Sequence, residues 1–404
     1  MKNDVVIIGA GHAGGMMAIS LRQQKYQGSI TLIGEEEFLP YQRPALSKGF
    51  LAGETEEKSL YLKSQDYFDK NNIRIIRNHK IVDIDRNNKT VILEDQKKIE
   101  YEKLVIATGS VVNKLNTSSR ETGLYYLRTI GDSLKIRERL RNKNKMAIIG
   151  AGYIGLEIAS IAIKKNLEVT IMELENEVMS RVVSSEVSNF FQNKHQSEGI
   201  EFKFNTSVTD IEDQGKQKGI VCSDGSVLSA DFVVIGVGIK PNIELAHSSG
   251  LECDNGIIVD DNGKTSDDHI FAVGDCSNHP NNILKQRLRL ESVQNAVEQA
   301  KSVAAGIAGN HKPYHQVPWF WSDQYNIKLQ IAGISQHHDR SVIRGSPEEE
   351  KFAVFYQKDK RLIAVDAINS PKEFVTGKKL IERQTEIPLE LLQDMNFDLK
   401  EMVR

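Results

Sequence analysis

The sequence predicts an α/β protein built from two similar strand–turn–helix–strand units and a smaller α+β domain at the C-terminus. Near the N-terminus a short apolar run is followed by a glycine motif and a helical pattern, and the same succession returns in mid-chain. After residue 318 the pattern changes to short alternating segments, which are typical of strands. A chain of 404 residues is long enough for two or three such domains.

The first unit begins with residues 5–8, VVII, an apolar run of the kind that forms a buried parallel strand. The motif GAGHAG follows directly at residues 9–14, and a helical pattern continues from it. A second strand is predicted over residues 29–33, with Glu35 just after its end. Together these features make a complete βαβ unit that closes on an acid.

The second unit repeats this order. Residues 147–149 are the strand, GAGYIG at 150–155 is the turn, and residues 168–172 are the second strand, followed by Glu173. In such a turn the first glycine permits the tight bend, the second lets the backbone approach a pyrophosphate, and the third lets helix and strand pack closely. The helix N-terminus then faces the phosphates. Two copies in full βαβ context predict two Rossmann-like dinucleotide-binding domains.

The acid that closes the second unit bears on the choice of nicotinamide nucleotide. Glu173 can accept hydrogen bonds from ribose hydroxyls, and its charge repels a 2′-phosphate. No arginine occurs between it and Arg181. The sequence therefore favours NADH over NADPH.

Further signals complete the domain plan. Strands are predicted over residues 104–109, 232–238, 265–275, 328–334, 352–356 and 362–367, and helices over residues 189–200 and 291–308. The predicted domains are a discontinuous first domain of residues 1–110 and 240–316, a second domain of residues 111–239, and a C-terminal domain of residues 317–404.

The overall composition narrows the function classes. A net charge of -3 gives no global attraction to nucleic acid or to a membrane surface. No apolar run approaches the roughly 18 residues that span a bilayer. Cys222, Cys253 and Cys276 form neither a CxxC pair nor a zinc spacing, which fits a reducing cytoplasm. The adjacent His337 and His338 would point apart on a strand without a third ligand, so no metal site is predicted.

Seen together, the motifs resemble those of the FAD-dependent NADH reductases of ferredoxin, rubredoxin and putidaredoxin, which have a glutathione-reductase-like architecture. The likeness covers almost the whole chain. Its motifs are GAGHAG at Gly9, PYQRPALSKGFLAG at Pro40, LVIATG at Leu104, GAGYIGLE at Gly150, GVGIKPN at Gly236, TSDDHIFAVGDC at Thr265, LESVQNAVEQA at Leu290 and PWFWSDQY at Pro318.

The resemblance implies that FAD binds the first glycine motif. Glu35 would hold the adenosine ribose, Asp275 the ribityl chain, and a backbone N–H at Val293 would face the flavin, where a helix N-terminus favours the anionic reduced form. The residues implied for FAD are Gly9, Gly11, Ala13, Gly14, Glu35, Arg43, Lys48, Ile81, Ala107, Thr108, Gly109, Arg128, Gly274, Asp275 and Val293.

The resemblance further implies that NADH binds the second motif, through Gly150, Gly152, Tyr153, Ile154, Gly155, Glu173 and Gly238. Three candidate catalytic residues follow from it. Glu157 would pair with Lys48 beside the flavin, the alternative being an ordinary solvated helix carboxylate. Trp321 would lie near the flavin at the docking surface for a redox partner, whereas Trp319 is equally consistent with a core residue.

The implied activity is electron transfer from NADH through flavin to a small acidic iron–sulfur protein, a [2Fe-2S] ferredoxin or a rubredoxin, that serves an oxygenase or a P450. The basic run Lys285, Arg287 and Arg289 would steer this partner, or would be a solvated loop. An NADH-binding flavoprotein resembling apoptosis-inducing factor and an NADH oxidase are the alternatives. An oxidase or peroxidase would carry a cysteine in residues 40–50, and a disulfide reductase would carry a cysteine pair; this chain has neither.

Overall fold

The structure is a computed structural model that describes residues 3–141 and 143–403. It divides into two compact units. The first comprises the chain up to Arg43 together with Glu57–Val111 and Lys240–Pro318, and the second comprises Pro44–Glu56, Val112–Ile239 and the chain from Trp319 onwards.

The strands are β1 Asn3–Ile8, β2 Ile30–Ile33, β3 Ile73–Ile76, β4 Ile81–Asp85, β5 Thr90–Leu93, β6 Lys98–Ile106, β7 Ser110–Val112, β8 Leu124–Tyr125, β9 Lys145–Ile149, β10 Glu168–Met172, β11 Glu201–Lys203, β12 Val208–Gln214, β13 Gln217–Cys222, β14 Val227–Ala230, β15 Phe232–Ile235, β16 Ile239–Pro241, β17 Ile257–Ile258, β18 Ile270–Ala272, β19 Ser277–Asn281, β20 Gln286–Leu288, β21 Trp319–Gln324, β22 Ile327–Gly333, β23 Arg340–Ser346, β24 Lys351–Lys358 and β25 Arg361–Ile368. The helices are α1 His12–Gln23, α2 Gly49–Ala52, α3 Gln65–Lys70, α4 Ile130–Arg139, α5 Tyr153–Lys164, α6 Ser185–Ser197, α7 Glu244–Ser248, α8 Val293–Ile307, α9 Pro371–Glu382 and α10 Leu389–Gln393.

The first unit is built on a sheet with strand order β3-β2-β1-β6-β5-β4, and β18 pairs with β6. Strands β1, β2, β3, β6 and β18 run parallel to one another, whereas β5 pairs antiparallel with β6 and β4 pairs antiparallel with β5. The strands at the centre are fully buried because helices cover parallel sheets, and here α1 packs against α8. The glycine turn that follows β1 therefore lies at the carboxyl end of a rigid strand.

The second unit contains a parallel sheet of order β11-β10-β9-β15-β8, an antiparallel meander of β12, β13 and β14, and an antiparallel sheet of order β21-β22-β25-β24-β23. One hydrophobic core joins the two larger sheets. In that core Phe191 and Phe352 are buried, and the rings of Phe190 and Phe352 lie 5.1 Å apart. The residues from 319 onwards thus share a core with the second glycine unit.

The predicted α/β class with a C-terminal α+β portion is confirmed, but some boundaries differ. The helix predicted over residues 189–200 is α6, which begins earlier because Ser184 supplies an extended N-cap residue. Residues Arg43–Ser47 form a 3₁₀ turn, since the Pro44 ring is tolerated in a first turn, where its missing N–H has no helical partner. Among the described residues, none of the helices combines the length and apolarity needed to cross a bilayer.

Candidate nucleotide and electron-transfer site

The first glycine turn leaves no room for a side chain at Gly9 or Gly14. Gly9 has φ +101°, and a Cβ on Gly14 would collide with the carbonyl oxygen of Gly9. The N-cap residue of α1 is Gly11, which supplies no side-chain acceptor to the first helical N–H groups. These donors, at the positive end of the helix, are available to a phosphate.

Buried polar atoms near this turn and at the start of α8 provide a test of whether FAD fits. Nδ1 of His12, Oε1 of Gln294 and Oδ1 of Asn295 are buried and have no hydrogen-bond partner within the described part of the chain. Helix α8 begins at Val293, and its N-cap Ser292 accepts a hydrogen bond from the Asn295 N–H at 3.1 Å. Unpaired buried polar groups are costly, so these positions fit a ligand rich in donors and acceptors, as FAD is.

Arg43 lies at the first glycine turn, held by two residues that sequence reasoning missed. Its Nη2 contacts Glu36 Oε1 at 2.8 Å, and its Nη1 donates to the Tyr41 hydroxyl at 2.9 Å. The same Nη2 would be 3.6 Å from a Cβ on Gly11. Glu35, the acid predicted to hold the ribose, is exposed.

The segment that contains Asp275 is fixed by helix α8 and by β7. The Gly274 N–H donates to Gln299 Oε1 at 2.8 Å, and Ser110 Oγ donates to Asp275 Oδ2 at 3.2 Å. Ser110 and Gln299 were missed, although Gln299 stands in the motif LESVQNAVEQA. Ala107 is buried directly after β6, and Thr108 Oγ1 donates to a backbone carbonyl at 2.7 Å, that of Asn242.

Of the residues implied for FAD, Ile81 lies in a hydrophobic core and Arg128 lies in the second unit. The side chain of Ile81 is only 6% exposed and belongs to a hydrophobic core, so only its backbone is available to a ligand. Arg128 lies in the second unit, as Lys48 does, and its N–H donates to Asp132 Oδ2 at 3.1 Å.

The second glycine turn repeats the first. Gly150 has φ +100°, a Cβ on Gly155 would collide with the Gly150 carbonyl oxygen, and the space around Gly152 is open to 4 Å. Glu173 Oε2 accepts from the Ala151 N–H at 2.6 Å, and its Oε1 accepts from the Glu175 N–H at 3.0 Å. Each carboxylate oxygen retains accepting capacity, so the acid fits a ribose diol as well as the turn.

Side chains at the start of α5 differ in exposure. The Tyr153 ring packs against Phe320 at 4.6 Å between centroids, and burial raises the pKa of its hydroxyl well above the usual range. Ile154, by contrast, is 43% exposed, which leaves an apolar side chain open to a ligand. Gly238 has φ +94°, and its carbonyl accepts from the Asn113 N–H at 3.0 Å.

Lys48 and Glu157 form an ion pair, here called the buried ion pair, with 2.7 Å between Lys48 Nζ and Glu157 Oε1. Glu157 is 1% exposed, so it is not a solvated helix carboxylate. Ser47 Oγ donates to its Oε2 at 2.5 Å, and Ser322 Oγ donates to its Oε1 at 2.6 Å. A buried charge is tolerated when it is paired and hydrogen-bonded in this way.

Trp321 is on the opposite face of β21 from Ser322, because side chains alternate along a strand. The ring centroids of Trp321 and Trp319 lie 5.6 Å apart. The Trp319 ring also lies 5.8 Å from the Phe374 ring and 5.7 Å from Lys378 Nζ. The structure therefore joins two of the three predicted catalytic residues, and no described contact links Trp321 to them.

The basic run before α8 is largely engaged. Arg287 Nη2 donates to the Val259 carbonyl at 2.7 Å, and Arg289 Nη1 contacts Glu291 Oε1 at 2.6 Å. Burial raises the pKa of the Cys276 thiol, which makes it unreactive, and no cluster of three metal-ligating side chains occurs in residues 3–141 and 143–403.

Known proteins match this chain over its whole length. The pyridine nucleotide-disulphide oxidoreductase family matches residues 3–300, and the reductase C-terminal family matches residues 319–403. The chain belongs to the pyridine nucleotide-disulphide oxidoreductase family. Within that family, putidaredoxin reductase from Pseudomonas putida is 39% identical over 100% of this chain and 97% of its own length. Rhodocoxin reductase from Rhodococcus erythropolis is 40% identical over 98% of this chain and 93% of its own length.

Solved structures of this family agree. The ferredoxin reductase of the CYP199A2 system from Rhodopseudomonas palustris has a TM-score of 0.96 at 42% identity, with both chains covered completely. The reductase in a covalent putidaredoxin reductase–putidaredoxin complex has the same TM-score at 39% identity, over 100% of this chain and 99% of that one. These matches confirm the resemblance predicted from the motifs.

Proposed function

We propose that this chain is an FAD-containing reductase that passes electrons from NADH to a small one-electron iron–sulfur carrier of an oxygenase or P450 system. The observation that carries the proposal is the buried ion pair of Lys48 and Glu157. Lys48 lies within residues 40–50, the segment in which an oxidase or peroxidase of the same architecture would need a cysteine. The two glycine turns, one in each unit, supply the two nucleotide sites.

Bound FAD would link a two-electron donor to a one-electron acceptor. It can accept a hydride from NADH and can release the two electrons one at a time to an iron–sulfur centre. The protein contributes binding and orientation. Gly9, Gly11 and Gly14 would admit the FAD pyrophosphate, and Asp275, which accepts a hydrogen bond from Ser110, would accept from the ribityl hydroxyls. Gly150, Gly152 and Gly155 admit NADH, and Glu173 accepts from its ribose.

In this proposal the buried ion pair would tune the bound flavin electrostatically and would not enter a covalent step. A fixed cation stabilises negative charge that develops near it, and Glu157 prevents Lys48 from turning into solvent. Trp321 contributes to the surface that meets the carrier. We assign residues 1–110 and 240–316 to FAD, residues 111–239 to NADH and residues 317–404 to the C-terminal domain.

We propose that the carrier is a small acidic [2Fe-2S] ferredoxin or a rubredoxin; relatives of this chain include a putidaredoxin reductase and a rubredoxin-NAD(+) reductase. The compartment we propose is the cytoplasm, where NADH is generated and where Cys222, Cys253 and Cys276 would remain free thiols, as they are in the structure.

The test is a coupled assay with the purified flavoprotein. NADH should reduce cytochrome c rapidly only when a [2Fe-2S] ferredoxin or a rubredoxin is added, and NADPH should be a poorer donor. Rapid carrier-independent NADH oxidation with stoichiometric peroxide would instead support an oxidase. Slow turnover with every carrier, despite tight binding of both nucleotides, would support a non-enzymatic NADH-binding flavoprotein.

A further inference from the structure

A line of buried hydrogen bonds leads away from Glu157 within the second unit. Ser322 and Gln324 face the same side of β21, and Gln324 Nε2 lies 3.1 Å from Ser322 Oγ. Gln324 Oε1 lies 2.7 Å from His195 Nε2 on α6. Ser322, Gln324 and His195 are each 0% exposed, so their polar atoms depend on one another.

Tyr325 ends this line at a less buried position. Its hydroxyl lies 2.9 Å from His195 Nδ1, and the Lys194 ammonium lies 5.7 Å from its ring centroid. Tyr325 has φ +56° in the two-residue turn between β21 and β22. A bulky residue rarely adopts this conformation, and it persists only where the surroundings hold the side chain. In this turn the hydroxyl lies within hydrogen-bond distance of His195 Nδ1.

The direction of each hydrogen bond follows from the carboxylate. An ionised Glu157 only accepts, so the Ser322 hydroxyl donates to it. The Ser322 oxygen then accepts from the Gln324 amide nitrogen, and Gln324 Oε1 accepts from an N–H. His195 must carry its proton on Nε2, which leaves Nδ1 to accept from the Tyr325 hydroxyl.

The reverse direction fails on geometry. A neutral His195 with its proton on Nδ1 would set two acceptors, its own Nε2 and Gln324 Oε1, against each other at 2.7 Å. Turning the Gln324 amide over would direct its oxygen at Ser322. The single Ser322 proton could then not serve Glu157, and two oxygens would face each other at 2.6 Å.

Burial favours the neutral form of the His195 ring. Burial lowers its pKa to about 4, the Gln324 hydrogen bond and the Glu198 carboxylate oppose this, and the Lys194 ammonium adds to it. Burial also raises the pKa of Tyr325, so its hydroxyl remains a donor. Both states agree with the directions that the carboxylate imposes.

We propose that His195 and Tyr325 are positioning residues for the buried ion pair. They act through a donor chain (Tyr325, His195, Gln324 and Ser322, in that order) in which every donor is directed toward the Glu157 carboxylate. Hydrogen bonds aligned head to tail polarise one another, so the chain strengthens the last bond and fixes the carboxylate that holds Lys48. The effect on the flavin rests on the function proposed above; the proton position does not.

The proton position is measured by NMR on the FAD-loaded protein labelled with ¹⁵N-histidine. Two-bond ¹H–¹⁵N correlations distinguish the tautomers, and the His195 signals are assigned by their loss in His195→Gln. Between pH 6 and 8 the ring should be neutral with its proton on Nε2. A proton on Nδ1, or a cationic ring at pH 6, would overturn the proposal. A wild-type protein that NADH cannot reduce would overturn the proposed function instead, whatever the tautomer.

Matched variants test the consequence for the ion pair. Gln retains an N–H near the position of Nε2, whereas Leu retains only bulk. His195→Leu should slow the reduction of bound flavin by NADH by about twofold to tenfold, the equivalent of one lost hydrogen bond, and should shift the flavin midpoint potential. His195→Gln should restore most of both. Tyr325→Phe, at the less buried end, should shift both in the direction of His195→Leu without disturbing folding. Equal behaviour of the Leu and Gln variants, or an unmoved potential in Tyr325→Phe, would contradict the donor chain.

Discussion

Asp366 is the most isolated carboxyl group of the C-terminal sheet. It is 0% exposed on β25, and it accepts a hydrogen bond from the Tyr356 hydroxyl at 2.7 Å through Oδ2, whereas Oδ1 has no described partner. Burial raises its pKa from 3.8 to about 7, which the Tyr356 hydrogen bond only partly opposes. Asp366 therefore keeps a proton in the folded protein that it loses in the unfolded chain.

The pH dependence of stability follows from this difference. Between about pH 4 and pH 7 the folded state binds a proton that the unfolded state has released, so the free energy of unfolding falls as the pH rises, and it levels off above pH 7. Asp366→Asn removes this slope. The variant should exceed the wild type in denaturant stability at pH 8, by an amount on the order of 1–4 kcal/mol, with the difference shrinking toward pH 4. Parallel curves for Asp366→Asn and wild type would refute the assignment.

At the scale of the element, the β1–α1 turn and helix α4 give glycine opposite roles. Gly14 lies where a Cβ would strike the Gly9 carbonyl, whereas the nearest atom to a Cβ on Gly131 in α4 is 3.7 Å away. The first glycine is required by close approach of the backbone, and the second merely adds flexibility to a helix.

Gly14→Ala and Gly131→Ala form a matched pair. Gly14→Ala should open the turn, so the purified protein should lose most of its flavin absorbance and the FAD dissociation constant should rise at least tenfold. Gly131→Ala should retain FAD and gain about 0.5–1 kcal/mol of stability, the usual gain of alanine over glycine in a helix. Full flavin occupancy in Gly14→Ala would show that the turn does not receive the pyrophosphate.

What the sequence predicts at this scale is limited to contacts that are local in the chain. GAGHAG and GAGYIG are recognisable as turns because the Gly14–Gly9 and Gly155–Gly150 clashes lie within one motif, although a Cβ on Gly9 or Gly150 would also strike a carbonyl oxygen from a distant part of the chain. The hydrogen bonds from Ser322 to Glu157 and between Gln324 and His195 could not be predicted, because α5, α6 and β21 are brought together only by the tertiary core. Glu36, which pairs with Arg43, was not among the predicted residues, and Glu35, which was predicted to hold a ribose, is exposed.

At the scale of the whole molecule, the two units contain the same kind of glycine turn and differ in the acid that follows it. Glu35 is exposed, whereas Glu173 is 9% exposed and fixed by the Ala151 N–H. A preorganised acid loses less entropy when it binds a ribose, which suits a nucleotide that must arrive and leave in each cycle. The first unit has buried polar atoms of His12, Gln294 and Asn295 without a described partner, which suits a nucleotide that remains bound throughout the cycle.

Hydrogen exchange should separate the two sites by unit. Removal of FAD should raise exchange in the first unit, chiefly in peptides that cover residues 9–23 and 270–300, because the ligand no longer satisfies the α1 N-terminus and the start of α8.

Addition of NAD⁺ to the FAD-loaded protein should lower exchange in residues 146–182. At a hundredfold excess over its dissociation constant a ligand contributes about 2.7 kcal/mol to the state that it binds, which is a readily measured change in protection. NADP⁺ at the same concentration is the control and should protect residues 146–182 less, because Glu173 repels a 2′-phosphate. Protection of residues 9–23 by NAD⁺ would reverse the assignment of the two turns.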